Sequence, residues 1–194
     1  CIYKFLLFNN GSIKTHLLTQ SHNSFFETNS RVNTINDFSL RTKMNILIIG
    51  HKEHGKTTFA EMFSNYSGMK YIDSSMYACK KFIFNTLKNK YNYSTIEECY
   101  KDRRNKRVEW FNLIKEYNND NKTLLVENIL EDHEIYVGLR NSTEIECAID
   151  KGLFDLVIGV YNDRLPLEDK SSLNYDIFKY SDIIIHNNGT LDDL

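Results

Sequence analysis

Ile46-Leu47-Ile48-Ile49-Gly50-His51-Lys52-Glu53-His54-Gly55-Lys56-Thr57 is the stretch on which the fold of this chain turns. Four apolar residues in a row, without alternation, predict a short strand buried on both faces. The next eight match G-x-x-x-x-G-K-[ST] at every specified position. Gly50 and Gly55 let the backbone turn tightly and approach an anion without a Cβ in the way. The loop from Gly50 through His51, Lys52, Glu53, His54, Gly55, Lys56 and Thr57 to Thr58 then aims its N–H groups at phosphate, from the positive end of the helix that follows. Lys56 is expected to reach the β- and γ-phosphates of a nucleoside triphosphate, and the Thr57 hydroxyl to ligate magnesium. The side chains of His51, Lys52 and His54 are expected on the loop surface rather than in the chemistry.

Outward from this loop, the pattern alternates between helices and strands. A helix is predicted over 56–65 with Gly68 as its stop, then a strand at 70–72. Asp73, Ser74 or Ser75 caps a helix running to about Lys88. Ser94 and Glu97 have capping-box spacing, and a long helix is predicted over 101–117. Further helices are predicted at 123–131 and 144–151, the latter closed by Gly152, with a short one at 175–180. Strands are predicted at 135–137, 154–160 and 182–186. The fold class is therefore α/β: a P-loop NTPase-like three-layer α/β/α arrangement with a mainly parallel sheet. In such sheets ligands bind beyond the carboxyl ends of the strands, where these motifs fall.

The folded domain is expected to span 44–194. Residues 1–43, rich in Asn, Ser and Thr beyond residue 8, read as a poorly ordered tail, a remnant of another element or upstream sequence; the alternative is an extension with an added strand at 3–8. The net charge of −2 gives no bulk attraction to nucleic acid, and residues 1–43 are net basic while the remainder is net acidic. No apolar run approaches the ~18 residues that span a membrane. The opening apolar stretch lacks the basic start and cleavage site of a signal peptide. Cys1, Cys79, Cys99 and Cys147 form no metal- or disulfide-like spacing, so a reducing, cytoplasmic setting is expected.

An acidic body that handles phosphate must concentrate positive charge locally. Lys101-Asp102-Arg103-Arg104-Asn105-Lys106-Arg107 does so. On a continuous helix Arg103 and Arg107 share a face, with Trp110 and Phe111 one turn on. Arginine binds phosphate bidentately and an aromatic ring stacks on a base. The same pattern also fits a solvated helix face with Trp110 in the core. Arg140, after the strand at 135–137, stands at a carboxyl end where Gly138 allows close approach. Arg164 follows the next strand at the same end and is either a stabiliser of transferring charge or a turn-surface residue. Glu144 and Glu146 are expected to face solvent or fix a basic residue. Asn187-Asn188-Gly189 is either a simple turn or an amide pair that reads a purine.

Residues 44–194 resemble the P-loop nucleoside monophosphate kinases, and most closely the phage-type deoxynucleoside monophosphate kinases. The resemblance rests on the Gly50–Thr58 loop, Asp102-Arg103-Arg104 through Trp110-Phe111, Ile135 to Arg140, Leu153 to Ile158, and Asp182 to Leu191. It implies transfer of a phosphoryl group from ATP, with Mg²⁺, to a (deoxy)nucleoside monophosphate. It implies Ser74, Ser75, Arg103, Arg104, Arg107, Trp110 and Arg140 on the acceptor side, Arg164 as the arginine of a short lid, and Asn187 and Asn188 near adenine. Neither nucleic acid nor membrane is an expected partner, and a homodimer is left open. A cytoplasmic location is implied, in a host cell were the chain virus-encoded. The chain departs from the wider kinase pattern after Ile135-Tyr136, where Val137 and Gly138 replace the acidic residue that helps position magnesium; Asp73 and Glu127 are the candidates to replace it. Competing readings are a nucleotide-binding P-loop module without turnover and another small-molecule kinase, of dephospho-coenzyme A or a sugar.

Overall fold

The computed structural model describes residues 43–190 and, before them, the course of two strands, β1 (Tyr3–Asn9) and β2 (Ser12–Leu18), which pair antiparallel. The chain divides into two compact units, 1–43 and 44–194. Apart from β1 and β2, the expected tail lies outside the described residues.

In the second unit, β3 (Ile46–Ile49) is the centre, and all four of its side chains are fully buried. This is what an unalternating apolar run requires, since both faces must be covered. Around it stand β4 (Tyr71–Asp73), β5 (Ile135–Val137), β6 (Leu156–Tyr161) and β7 (Ile183–His186), in the order β4-β5-β3-β6-β7. Every neighbouring pair is parallel. The helices are α1 (Lys56–Ser67), α2 (Ser74–Ala78), α3 (Phe84–Tyr91), α4 (Ile96–Asp102), α5 (Arg107–Tyr117), α6 (Leu124–Asp132), α7 (Ser142–Asp150) and α8 (Ile177–Tyr180). A π-helical turn, Cys79–Ile83, joins α2 to α3 without a break.

The period of two along the strands sorts the core into layers. Ile46, Ile48, Ile135, Val137, Ile158 and Val160 face Ala60 of α1. Leu47, Ile49, Tyr136 and Val157 face the other way, onto Ala78, Leu87, Trp110, Ile129 and Ile145 of the remaining helices. The result is the three-layer α/β/α arrangement. Because α1 leaves β3 toward one face and α7 leaves β5 toward the other, the crevice of the sheet opens at the carboxyl ends of those two strands. Among the described residues no helix is long and apolar enough to cross a membrane.

Two local expectations are corrected. The capping box is Thr95 with Glu98, one residue later than Ser94 with Glu97. Glu98 accepts from the backbone N–H of both Ser94 (2.7 Å) and Thr95 (3.3 Å), which the earlier register would forgo. The helix expected over 101–117 is broken at 103–106. The Asn105 side chain donates to Asp102 (2.7 Å) while the Asn105 N–H donates to the Asp102 carbonyl (2.9 Å), closing a turn where helix was expected. Arg103 and Arg107 thus do not share a helical face.

Gly159, opposite Ile184 in the β6–β7 register, has no room for a side chain. A Cβ there would meet Ser181 Oγ and come within 2.6 Å of Ile184 Cδ1. Gly159→Ala is expected to destabilise the fold by about 1–3 kcal/mol, read as a lower midpoint in urea denaturation.

Candidate functional site: a glycine-bounded loop facing an arginine cluster

The loop that follows β3 carries positive φ at Gly50 (152°) and Gly55 (99°). A Cβ on Gly50 would strike the Val160 carbonyl, and one on Gly55 the Asn187 side-chain amide. Both glycines are therefore required by backbone angle and by space. Lys56 opens α1 and is 9% exposed, and its Nζ donates to the His51 carbonyl. Burial, and then the nearby Arg140 charge, pull its pKa down to about 8 against the opposing pull of Glu168 and Asp73. Thr57 and Thr58 are exposed on the first turn of α1, and Lys52 and Glu53, which pair with each other at 3.4 Å, are exposed in the loop before it.

His51 and His54 are buried, at 9% and 0% exposure, not on the loop surface as their sequence position suggested. Each holds the segment that follows β6. His54 Nδ1 accepts from the Asn162 N–H (3.1 Å), so its proton is on Nε2, which faces the Pro166 carbonyl at 3.3 Å. His51 Nδ1 accepts from the Glu168 N–H at 3.2 Å. From the other side Asn187 donates to the His54 carbonyl at 3.1 Å. Asn162 donates to the Asn187 carbonyl at 2.5 Å, and Asn188 exchanges hydrogen bonds with Asp163. Asn187 and Asn188 thus brace the Gly50–Thr57 loop and tie the end of β7 to the segment after β6.

The His51 clip makes stability depend on pH. Burial, then the neighbouring His54, lower the His51 pKa from its ordinary 6.5. Below pH 6.5 the unfolded chain binds the proton more readily than the folded one, so stability is full above 6.5 and declines as pH falls through the lowered value. The urea midpoint is expected to drop between pH 6.5 and pH 5. In His51→Asn, whose side-chain oxygen can still accept from Glu168, that drop should be smaller; an unchanged drop would assign it elsewhere.

The carboxylate of Glu168 is the hub of the arginine cluster. Its side chain is 7% exposed. Arg140 Nη1 donates to both of its oxygens, at 2.7 and 2.8 Å, and the Lys52 N–H donates at 2.6 Å. Arg107 Nη2 approaches at 3.4 Å. Burial alone would raise its pKa, but the Arg140 charge and hydrogen bond, the Lys52 N–H and Lys56 outweigh that and hold it below the ordinary carboxylate value. Glu168 carries no periodic or motif signal in the sequence, and its partners lie up to 117 positions away.

Asp73, at the carboxyl end of β4, caps α2 by accepting from the N–H groups of Ser75 and Met76. Ser74 is buried and sits against the open side of Gly138. Arg103 lies 3.9 Å above the Tyr100 ring, and burial together with Asp73 pushes the Tyr100 hydroxyl up to about 12. Lys56, Asp73, Tyr100, Arg103, Arg107, Arg140 and Glu168 thus form one connected set at the strand ends.

Other candidates fall outside it. Arg104 and Arg164 are exposed, and neither side chain has a hydrogen bond or ion pair among the described residues. Trp110 is 4% exposed, packs edge-on to Tyr100, and belongs to the core rather than to a stacking surface. The turn at 103–106 rephases α5 so that Phe111, at 52% exposure, faces outward in its place. Glu127 is bound by Lys151 (2.9 Å), Thr123 (2.8 Å) and Asn121 (2.7 Å), which commits it to joining α6 to α7. Glu144 accepts from the buried Asn118 at 3.0 Å, and burial raises its pKa; it does not face solvent. Glu146 is exposed and pairs with Lys179 at 3.7 Å.

No protein-family model matches the chain, and no curated protein matches it.

Proposed function

We propose that the chain is an ATP- and Mg²⁺-dependent nucleoside or deoxynucleoside monophosphate kinase. The observation that carries this reading is the convergence on one carboxylate of a phosphate-loop N–H and two arginines from distant elements, beside the buried Lys56. A triphosphate needs the loop and the lysine; the arginines facing them suit a second phosphate.

In this reading the loop N–H groups seat the β- and γ-phosphates and Lys56 neutralises charge on the transferring group. Thr57 and Asp73 supply hard oxygen donors that would hold magnesium, which contributes further charge neutralisation when bound. Arg107 and Arg140 orient the acceptor phosphate, with Arg103 fixed beside them on Tyr100. The exposed Arg164, on the segment clipped to His51 and His54, would serve as the arginine that neutralises charge on the transferring oxygens. An acceptor phosphate is already ionised near neutral pH, so positioning and charge, not proton abstraction, supply the rate.

The test is ADP release from ATP-Mg²⁺ in the presence of a panel of nucleoside and deoxynucleoside monophosphates, with dephospho-coenzyme A and a set of sugars offered separately. Release that requires one of them supports the reading. Release indifferent to all of them, or prompted only by dephospho-coenzyme A or a sugar, overturns it.

A further inference from the structure

The Glu168 carboxylate rests on donors of the kind that hold phosphate: a phosphate-loop N–H, a guanidinium engaging both of its oxygens and a second guanidinium. Its other neighbours are the Lys56 charge and the His51 ring, which accepts its backbone N–H. A carboxylate and a phosphoryl face have similar size, charge and acceptor geometry, and both suit arginine's planar fork. We propose that Glu168 is a tethered stand-in for a phosphoryl group: it fills the anion seat between the phosphate loop and Arg140, and an incoming polyphosphate must lift it out to bind.

This extends the kinase reading, on which it rests for the nature of the incoming anion, by assigning the seat and its resident competitor. Two features of the chain fit the exchange. Glu168 lies on an irregular segment between β6 and α8, held to the loop's histidines by two hydrogen bonds at His54 and one at His51 rather than by sheet or helix. Its neighbours Leu167 and Asp169 are exposed, so its release disrupts no packed apolar side chain beside it. With its carboxylate gone, Arg140 and Arg107 become free to take a phosphate instead. The device also keeps two arginines and a buried lysine from repelling one another before the ligand arrives.

The test is calorimetric titration of the full chain with inorganic tripolyphosphate. Glu168→Gln keeps the shape but loses the charge, and turns an amide N–H₂ toward donors. If the seat is filled by Glu168 more than nine-tenths of the time, removing the competitor tightens tripolyphosphate binding about tenfold or more. Equal or weaker binding by a folded Glu168→Gln variant overturns the proposal while the phosphate loop stands. Failure of both proteins to bind tripolyphosphate overturns the loop's role and the proposal with it. A second measurement needs no variant. Hydrogen exchange at the Glu168 amide of the unaltered chain should speed up when tripolyphosphate saturates it, because the His51 bond is lost. Slower exchange there means that Glu168 stays seated beside the ligand, and overturns the proposal.

Discussion

On the proposed kinase reading, Lys56→Met should all but abolish phosphoryl transfer and leave the protein at least as stable as before. The lysine is almost wholly buried, and burial with the Arg140 charge lowers its pKa to about 8. Holding it charged at pH 7 therefore works against folding by a few kcal/mol on the linkage relation. The sign can be checked directly. Between pH 8 and 10.5 the unfolded chain binds this proton more readily than the folded one, so the Lys56 contribution to stability should improve as pH rises through that range. Methionine keeps the apolar stem and removes the charge. The transfer rate, which depends on a fixed cation at the transferring oxygens, should fall by about 10³-fold. Urea denaturation and turnover measured on the same preparation separate the two effects; an active variant, or one that is inactive because it is unfolded, would be inconsistent with this role. Loss of function with gain of stability is the pattern expected where a strained residue is kept for chemistry.

Arg140→Ala should lose both stability and acceptor use. It strips the Glu168 carboxylate of its two shortest side-chain hydrogen bonds and leaves it with the Lys52 N–H and a longer contact to Arg107. A fully buried charge left unpaired would cost several kcal/mol. Arg140 is more than a third exposed, at 37%, so solvent already screens the pair; about 2 kcal/mol is expected. Adding Glu168→Gln should restore part of that loss, because the orphaned charge is then gone, and the double-mutant cycle reads the coupling. Recovery of stability in the double variant should not recover turnover, because kcat/KM for the monophosphate depends on the arginine itself and should stay about 10²-fold down. Arg140→Lys should recover stability better than activity, since an ammonium cannot reproduce the guanidinium fork.

What the sequence made legible was whatever short-range physics decides. Ile46–Ile49 is an apolar run that only a two-sided core satisfies, and it is the central strand. The helix beginning at Lys56 and ending at Gly68 follows from glycine chemistry at both ends. The α/β layering follows from the alternation of such segments. Signals that depend on near-equal local options were read less well. Ser94 and Thr95 are both capping residues, each with a glutamate three positions on, and only the two N–H groups that Glu98 satisfies decide between them. The break at 103–106 contains neither Gly nor Pro, and the Asp102–Asn105 turn is a weak competitor against helix in any local scan. Least legible were the long-range parts of the site. His51 and His54 look like surface residues until the segment after β6, more than a hundred positions away, is docked on them. Glu168 stands between an exposed leucine and an exposed aspartate, and only the fold brings it to Arg140 and the Lys52 N–H.

The central claim is that the phosphate loop and the arginine cluster act on two phosphates in one event. Phosphorus NMR of the full chain with ATP, Mg²⁺ and a set of deoxynucleoside monophosphates reads this directly. The account predicts loss of the ATP γ-phosphate resonance matched by new α- and β-phosphate resonances of a second nucleoside diphosphate, and none of either with Lys56→Met. Protein that binds ATP, yet yields inorganic phosphate or no product with every monophosphate offered, would contradict it.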